Sequence, residues 1–329
     1  MRSSIHGFGM VKPALHTTAL RRMRRLLRQN RVGLLGIGVL LAEALVALLA
    51  PTLAPHAPLD QDTMWRLKPP FTVSGDGRFM LGTDQLGRDV LSRILYGARI
   101  SLLIGISAVA IAAPLGVVVG LVASYYGRAV DDLIMRVADV QLAFPFILLA
   151  VTMVAVLGPS LGNLIIVLGI AGWVPYARLS RSEVLTLKGR EFIEAARSLG
   201  AGDARIITRH ILPNVLTPVI VVGTFALANT IIVESSLSFL GLGVQPPDPT
   251  WGGMLSDSRE YVTAAWWLWV FPGASILTTV LAINVVGDWL RDILDPRAVV
   301  TAEGSAPRSP NPPAAAAPAA QSSRGLSRS

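Results

Sequence analysis

Apolar runs of membrane-crossing length alternate along the chain with shorter polar segments. Residues 32–53 give the roughly 20 apolar positions that cross about 30 Å of hydrocarbon. Comparable runs cover residues 100–123, 140–157, 161 to about 179, 215–233 and 271–286, so the pattern predicts an all-α integral membrane protein with six transmembrane helices. Pro145 predicts a kink in the third span, and Pro175 breaks the regularity of the fourth. The second span is dense in small residues, and Gly116 and Gly120 form a G-x-x-x-G that allows close backbone approach. Gly158-Pro159-Ser160 is a tight turn between the third and fourth spans.

The polar segments set the domain organisation. Residues 1–31 form a basic N-terminal segment in which Arg21, Arg22, Arg24, Arg25, Arg28 and Arg31 precede the first span with no acid among them. Residues 32–298 form the six-helix membrane domain, and residues 299–329 are an Ala/Pro/Ser-rich tail whose composition predicts disorder. The first span is longer than a signal-peptide core of about 7–15 residues, and predicts an uncleaved anchor with a cytoplasmic N-terminus. Six spans then place residues 125–139, 178–213 and the C-terminus in the cytoplasm, with most of the arginines, and segments 54–99 and 244–263 outside. Trp266, Trp267 and Trp269 predict an aromatic belt at the outer interface. Glu43 lies inside the first span, where a carboxylate is expensive; it marks either a functional group, a helix–helix partner or a packed residue.

Composition agrees with a membrane solvent. The chain of 329 residues is 52% hydrophobic and 15% charged, where about a quarter charged is usual in soluble proteins. The net charge of +8 follows the positive-inside pattern and comes with no nucleic-acid-binding motif, so nucleic acid is not an expected partner whereas membrane lipid is. Cysteine is absent, which excludes disulfides and thiolate chemistry. The four histidines are scattered, so no metal site is expected, and no catalytic constellation is present.

Residues 178–213 form a charged island between two apolar runs. Glu191 to Leu199 is mostly good helix formers, with Phe192, Ala196 and Leu199 on one face. Gly200 stands where a helix C-terminus takes a left-handed residue, Asp203 is the expected N-cap of the next helix, and Pro213 marks a kink or a fresh helix start. The run Glu194-Ala195-Ala196, then Gly200, then Leu212-Pro213 resembles the EAA loop of ABC-importer membrane subunits. His210-Ile211-Leu212-Pro213-Asn214 has the form of the dipeptide/oligopeptide/nickel branch. Gly82-Thr83-Asp84, with Gly87-Arg88-Asp89 and Ser92-Arg93, resembles that branch's signature before its second helix. The runs Glu234 to Gly243 and Gly287 to Asp292, then Asp295-Pro296, are also similar to it. From the residues alone, Thr83 or Asp84 can cap a short amphipathic helix, and Arg88 and Asp89 can pair with neighbours at the membrane surface.

The resemblance covers residues 20–298 and implies the second, C-type permease subunit of an importer with the type I (MetI-like) fold, located in the cytoplasmic (inner) membrane. It implies pairing with a second homologous permease, two ATP-binding subunits inside and a solute-binding protein outside. The cargo would be di- or oligopeptides or a related solute such as nickel. Phe192, Ala196 and Leu199 would pack into a cleft on the ATPase, Glu194 would pair with a cation there, and Gly200 would set the turn. A Walker A loop needs a Gly-Lys pair, and Lys12, Lys68 and Lys188 follow Val, Leu and Leu. ATP and Mg would therefore be used by partner subunits, and this chain would bind no cofactor. The alternative is an ion-coupled carrier or channel using Glu43, Asp139, Glu234 and Asp288; six spans are few for a carrier monomer, and no pair of Gly/Pro-broken halves suggests inverted repeats.

Overall fold

The computed structural model describes residues 31–74 and 77–294. The expectations for most of the basic N-terminal segment, for Asp295-Pro296 and for the tail lie outside the described residues. Helix α1 spans Arg31–Leu53. A short 3-10 turn, Thr63–Trp65, is capped by Asp62, whose carboxylate accepts from the Met64 N–H (2.9 Å). Strands β1 (Thr72–Ser74) and β2 (Gly77–Phe79) pair antiparallel, with Thr72 opposite Phe79. Helices α2 (Val90–Tyr126), α3 (Arg128–Ala143), α4 (Phe146–Leu157), α5 (Leu161–Ala171) and α6 (Trp173–Lys188) follow. After them come α7 (Glu191–Ser198), α8 (Asp203–Ile206), a π-helical turn (Ile207–Ile211), α9 (Leu212–Phe239), α10 (Trp251–Asp257) and α11 (Trp267–Leu294).

Among the described residues, five helices are long and apolar enough to cross a membrane, or six if the bent pair α3 and α4 counts as one span. That pair corrects the sequence expectation of a kinked span over residues 140–157. Phe144 precedes Pro145 and is pushed into extended backbone (φ −94°, ψ 133°), which ends α3 outright. The two helices then meet at 90°. The 12 residues of α4 rise only about 18 Å, too short to cross alone. Other boundaries also move. α2 starts at Val90 because the Asp89 carboxylate caps it, accepting from the Ser92 N–H (2.9 Å). The fourth span runs from Leu161 to Lys188 and is interrupted at Gly172, while Pro175 sits harmlessly in the first turn of α6. α9 and α11 continue past residues 233 and 286, carrying Glu234 and Asp288 inside helices.

The G-x-x-x-G seam forms as expected, and its partner is α6. A Cβ on Gly116 would strike the Trp173 carbonyl oxygen and the Tyr176 Cβ, and one on Gly120 would strike the Ala177 carbonyl oxygen. α2 also meets α5 where Gly169 faces Ile111, α9 where Gly105 faces Leu227 and Ile231, and α10 where Gly97 faces Trp251. It is therefore the helix against which much of the bundle packs. α1 closes on α11 through Gly33 against Trp289 and Gly36 against Val285, while Leu35, Leu41, Leu45 and Leu48 point outward. α3 is held to α6 by Arg181, which donates twice to Asp131 (2.6 Å each), and by Arg178 to Asp139 (2.5 Å).

Candidate functional site

The charged island folds into a small handle. Arg190 is extended (φ −81°, ψ 140°) and its carbonyl accepts from Ile193 (2.9 Å) and Glu194 (3.3 Å), opening α7. Glu191 and Glu194 fall in the first turn, where the helix dipole favours acids. Gly200 ends it at φ +84°, with its N–H on Arg197 O (2.9 Å) and the Ala201 N–H on Ala196 O (3.1 Å). A Cβ there would meet open space, so the backbone angle alone asks for glycine.

Ile193 is 0% exposed and anchors the handle in a core cluster with Leu121, Tyr125, Val184, Ile206 and Ile211. Sequence reasoning did not single it out, although an isoleucine inside a charged island is the available signal. The residues that reasoning did select lie outward: Phe192 is 46% and Leu199 89% exposed, Glu194, Ala195 and Gly200 are exposed, and Ala196 is half-buried. Phe192 stands 6.4 Å from the His210 ring. Leu212 and Pro213 form the first turn of α9, but the helix runs unbroken from Asp203 to Phe239, so Pro213 follows a π-helical turn within it and does not open a fresh helix. Asp203 is not the N-cap: Gly202 holds that position, in extended backbone (φ −69°, ψ 159°), and Asp203 is already helical. Its carboxylate instead accepts from the Tyr125 hydroxyl (2.5 Å).

The second sequence motif folds into a buried ion cluster at the opposite end of α2. Gly82 (φ +81°) and Gly87 (φ +75°) turn the chain where side chains do not fit; a Cβ on Gly82 would lie 2.6 Å from the Lys68 carbonyl oxygen. The Thr83 hydroxyl accepts from the Lys68 N–H (2.9 Å) and donates to the Trp65 carbonyl. Asp84 accepts from the Leu86 N–H (2.8 Å), the Arg88 N–H (2.9 Å), Arg88 Nε (2.7 Å) and an Arg93 guanidinium nitrogen (2.5 Å). Arg93 also reaches Asp257 of α10 (3.1 Å), and Arg88 lies 3.6 Å from it. Neither Thr83 nor Asp84 caps a helix, which corrects the sequence expectation: both are consumed by the loop, and Asp89 caps α2. Asp89 also accepts from the Ser92 hydroxyl (2.6 Å) and lies 3.7 Å from His56 Nδ1. The three tryptophans expected at the outer interface differ in their surroundings. Trp267 is buried with its indole donating to Thr83 O (3.1 Å), and Trp269 donates to Ser258 O (2.9 Å); Trp266 remains exposed.

Residues 112–300 match the family described as binding-protein-dependent transport system inner membrane component, and residues 18–70 match the N-terminal membrane domain of oligopeptide transport permease C. The chain belongs to this permease family. It is 43% identical over 297 residues to the di/tripeptide transport system permease protein DppC of Pseudomonas aeruginosa (strain UCBPP-PA14), covering 90% of this chain and 98% of that protein. The dipeptide permease DppC of Alkalihalophilus pseudofirmus is 45% identical, covering 82% and 88% of the two chains. The Escherichia coli (strain K12) DppC is 43% identical, covering 85% and 94%. Likeness to an inward-facing MetNI methionine ABC transporter structure is distant, with TM-score 0.48 and 18% identity over 63% of this chain and 96% of that one.

The permease is thus a multi-pass membrane subunit of an ABC importer, which separates it from the ion-coupled carrier considered as the alternative. The intramembrane carboxylates have local partners. Glu234 is fully buried and accepts from the Ser238 (2.8 Å) and Ser235 (3.3 Å) hydroxyls. Glu43 accepts from the Thr278 hydroxyl of α11 (3.5 Å) and lines a cavity of about 250 Å³ with Ala98 and Trp251. Among the described residues, no group of three or more His, Asp or Glu is placed to hold a metal.

Proposed function

We propose that the permease carries di- or oligopeptides inward across the cytoplasmic membrane and is driven through the handle at Phe192, Glu194, Ala195, Ala196, Leu199 and Gly200. The chain pairs with a second homologous permease. Two separate ATP-binding subunits use ATP and Mg on the cytoplasmic side, where both termini of the chain also lie. A solute-binding protein delivers cargo from outside, and the permease itself catalyses no reaction. One observation supports this reading above the others: an exposed apolar edge, Phe192 and Leu199, stands on a rigid base made by the buried Ile193. A soluble loop helix gains nothing from leaving such residues in water, whereas a docking helix buries them against its partner at roughly 25 cal/mol per Å². Peptide as cargo is supported by the names of the dipeptide permeases to which the chain is similar.

The test uses the reconstituted complex in vesicles, with a dipeptide and a nickel chelate offered separately. ATP-dependent dipeptide uptake falls at least tenfold in Glu194→Lys and in Gly200→Pro, and nickel uptake stays at background. Undiminished dipeptide uptake in both variants, with normal assembly, contradicts the coupling role. Nickel uptake without dipeptide uptake contradicts the cargo.

A further inference from the structure

Tyr125 is the penultimate residue of α2, and three elements of the handle region converge on it. Its hydroxyl donates to Asp203, which opens α8 just beyond the Gly200 turn (2.5 Å). Lys188, the last residue of α6, donates to its carbonyl (2.7 Å) and stands 5.4 Å from its ring centroid. Its ring shares the core cluster with Ile193, the anchor of α7. The apolar contacts hold the handle against α2 without fixing direction. The hydroxyl–carboxylate bond is directional, and a charged acceptor makes it among the stronger hydrogen bonds.

The rest of α2 explains why this attachment matters. The helix has 37 residues and rises about 55 Å, so it reaches from the handle to the ion cluster. Pro114 removes one backbone donor part-way along, and the close packing of Gly116 and Gly120 on α6 splints that weak point. At its far end the helix is fixed to α10 by the Arg93–Asp257 bond and by the Trp251 indole, which donates to Ile94 O (3.2 Å). A rod held at both ends, with α6, α9 and α10 packed on its glycines, passes a displacement of one end to the other.

We propose that Tyr125 and Asp203 are positioning residues for transport: their bond hitches the handle to α2, so that movement of the handle turns into rearrangement at the ion-cluster end. This rests on the reading of the handle as the ATPase contact. It names the element that receives the motion and the bond that delivers it.

The experiment uses the full complex in proteoliposomes and reads peptide transported per ATP hydrolysed. Co-purification of the ATP-binding subunits serves as a separate readout. Tyr125→Phe keeps the ring, its packing and the Lys188 contact, and loses only the hydroxyl. In Tyr125→Phe and in Asp203→Ala the ATP-binding subunits remain bound and hydrolysis continues, while transport per ATP falls about tenfold. Asp203→Asn keeps an acceptor and recovers most of the loss. The double variant Tyr125→Phe/Asp203→Ala is no worse than either single change, because both remove the same bond. Unchanged transport per ATP in Tyr125→Phe overturns the proposal. So does a double variant whose loss is the product of the single losses, since that marks two independent defects. So does release of the ATP-binding subunits from Tyr125→Phe, since the contact is then a requirement for assembly. Failure of the underlying reading looks different: Glu194→Lys then leaves both subunit binding and transport per ATP intact.

Discussion

Asp84 carries the most concentrated polar burden in the permease. It is buried and accepts from two backbone N–H groups and two arginines at once. Taking two cations and the Asp84 carboxylate out of water gains little net stability, but removing Asp84 strands both arginines. Asp84→Ala therefore destabilises the protein by about 3–5 kcal/mol, whereas a loss under 1 kcal/mol marks the cluster as solvated. The check is a denaturation midpoint in detergent, read by tryptophan fluorescence, to which Trp267 contributes with its indole bonded to the adjacent Thr83 carbonyl. Glycine at 200 answers to a different constraint, a positive φ with open space around it, so the turn and not packing selects the residue.

At the scale of elements, the seam between α2 and α6 decides whether the bundle closes. Gly120→Leu forces a side chain into the Ala177 carbonyl and the Ser180 Cβ. It costs roughly 1–3 kcal/mol or more and lowers the yield of folded protein in gel filtration, while Gly202→Ala, with nothing within 4 Å, leaves the yield unchanged. Equal yields for both variants contradict the seam. Elements of this kind were readable from the sequence. Apolar length gave the long helices, Gly116 and Gly120 announced a close contact, and Gly200 announced the end of α7. Features set by tertiary partners were not. Whether Phe144-Pro145 bends a span or breaks it at a right angle depends on what packs around it, so periodicity over residues 140–157 misread α4. Asp203 looks like a cap until Tyr125, 78 positions away, is seen to claim its carboxylate. Ile193 was passed over because its neighbours are charged, and its burial depends on Tyr125, Val184 and Ile211, which no local pattern brings together.

For the whole molecule, the handle and the ion cluster stand at opposite ends of α2, and the proposed function assigns the handle the contact with the motor. The ion cluster stiffens one end with paired charges, of which Asp84, Arg88 and Arg93 are buried. The handle at the other end leaves Phe192, Glu194 and Leu199 free to meet a partner. Between them lies a bundle whose outward side chains on α1 and α2, such as Leu35, Leu48, Leu103 and Ile106, suit lipid or a second permease. Under the proposed reading, motor and conduit are separate chains joined through one small helix. The measurement that tests this most directly is dipeptide uptake into proteoliposomes containing the permease pair and binding protein, with and without the ATP-binding subunits and ATP. Uptake that appears only when ATP and those subunits are present, and that disappears in Glu194→Lys, is the predicted result. Equal uptake by the permease pair without the ATP-binding subunits would contradict it.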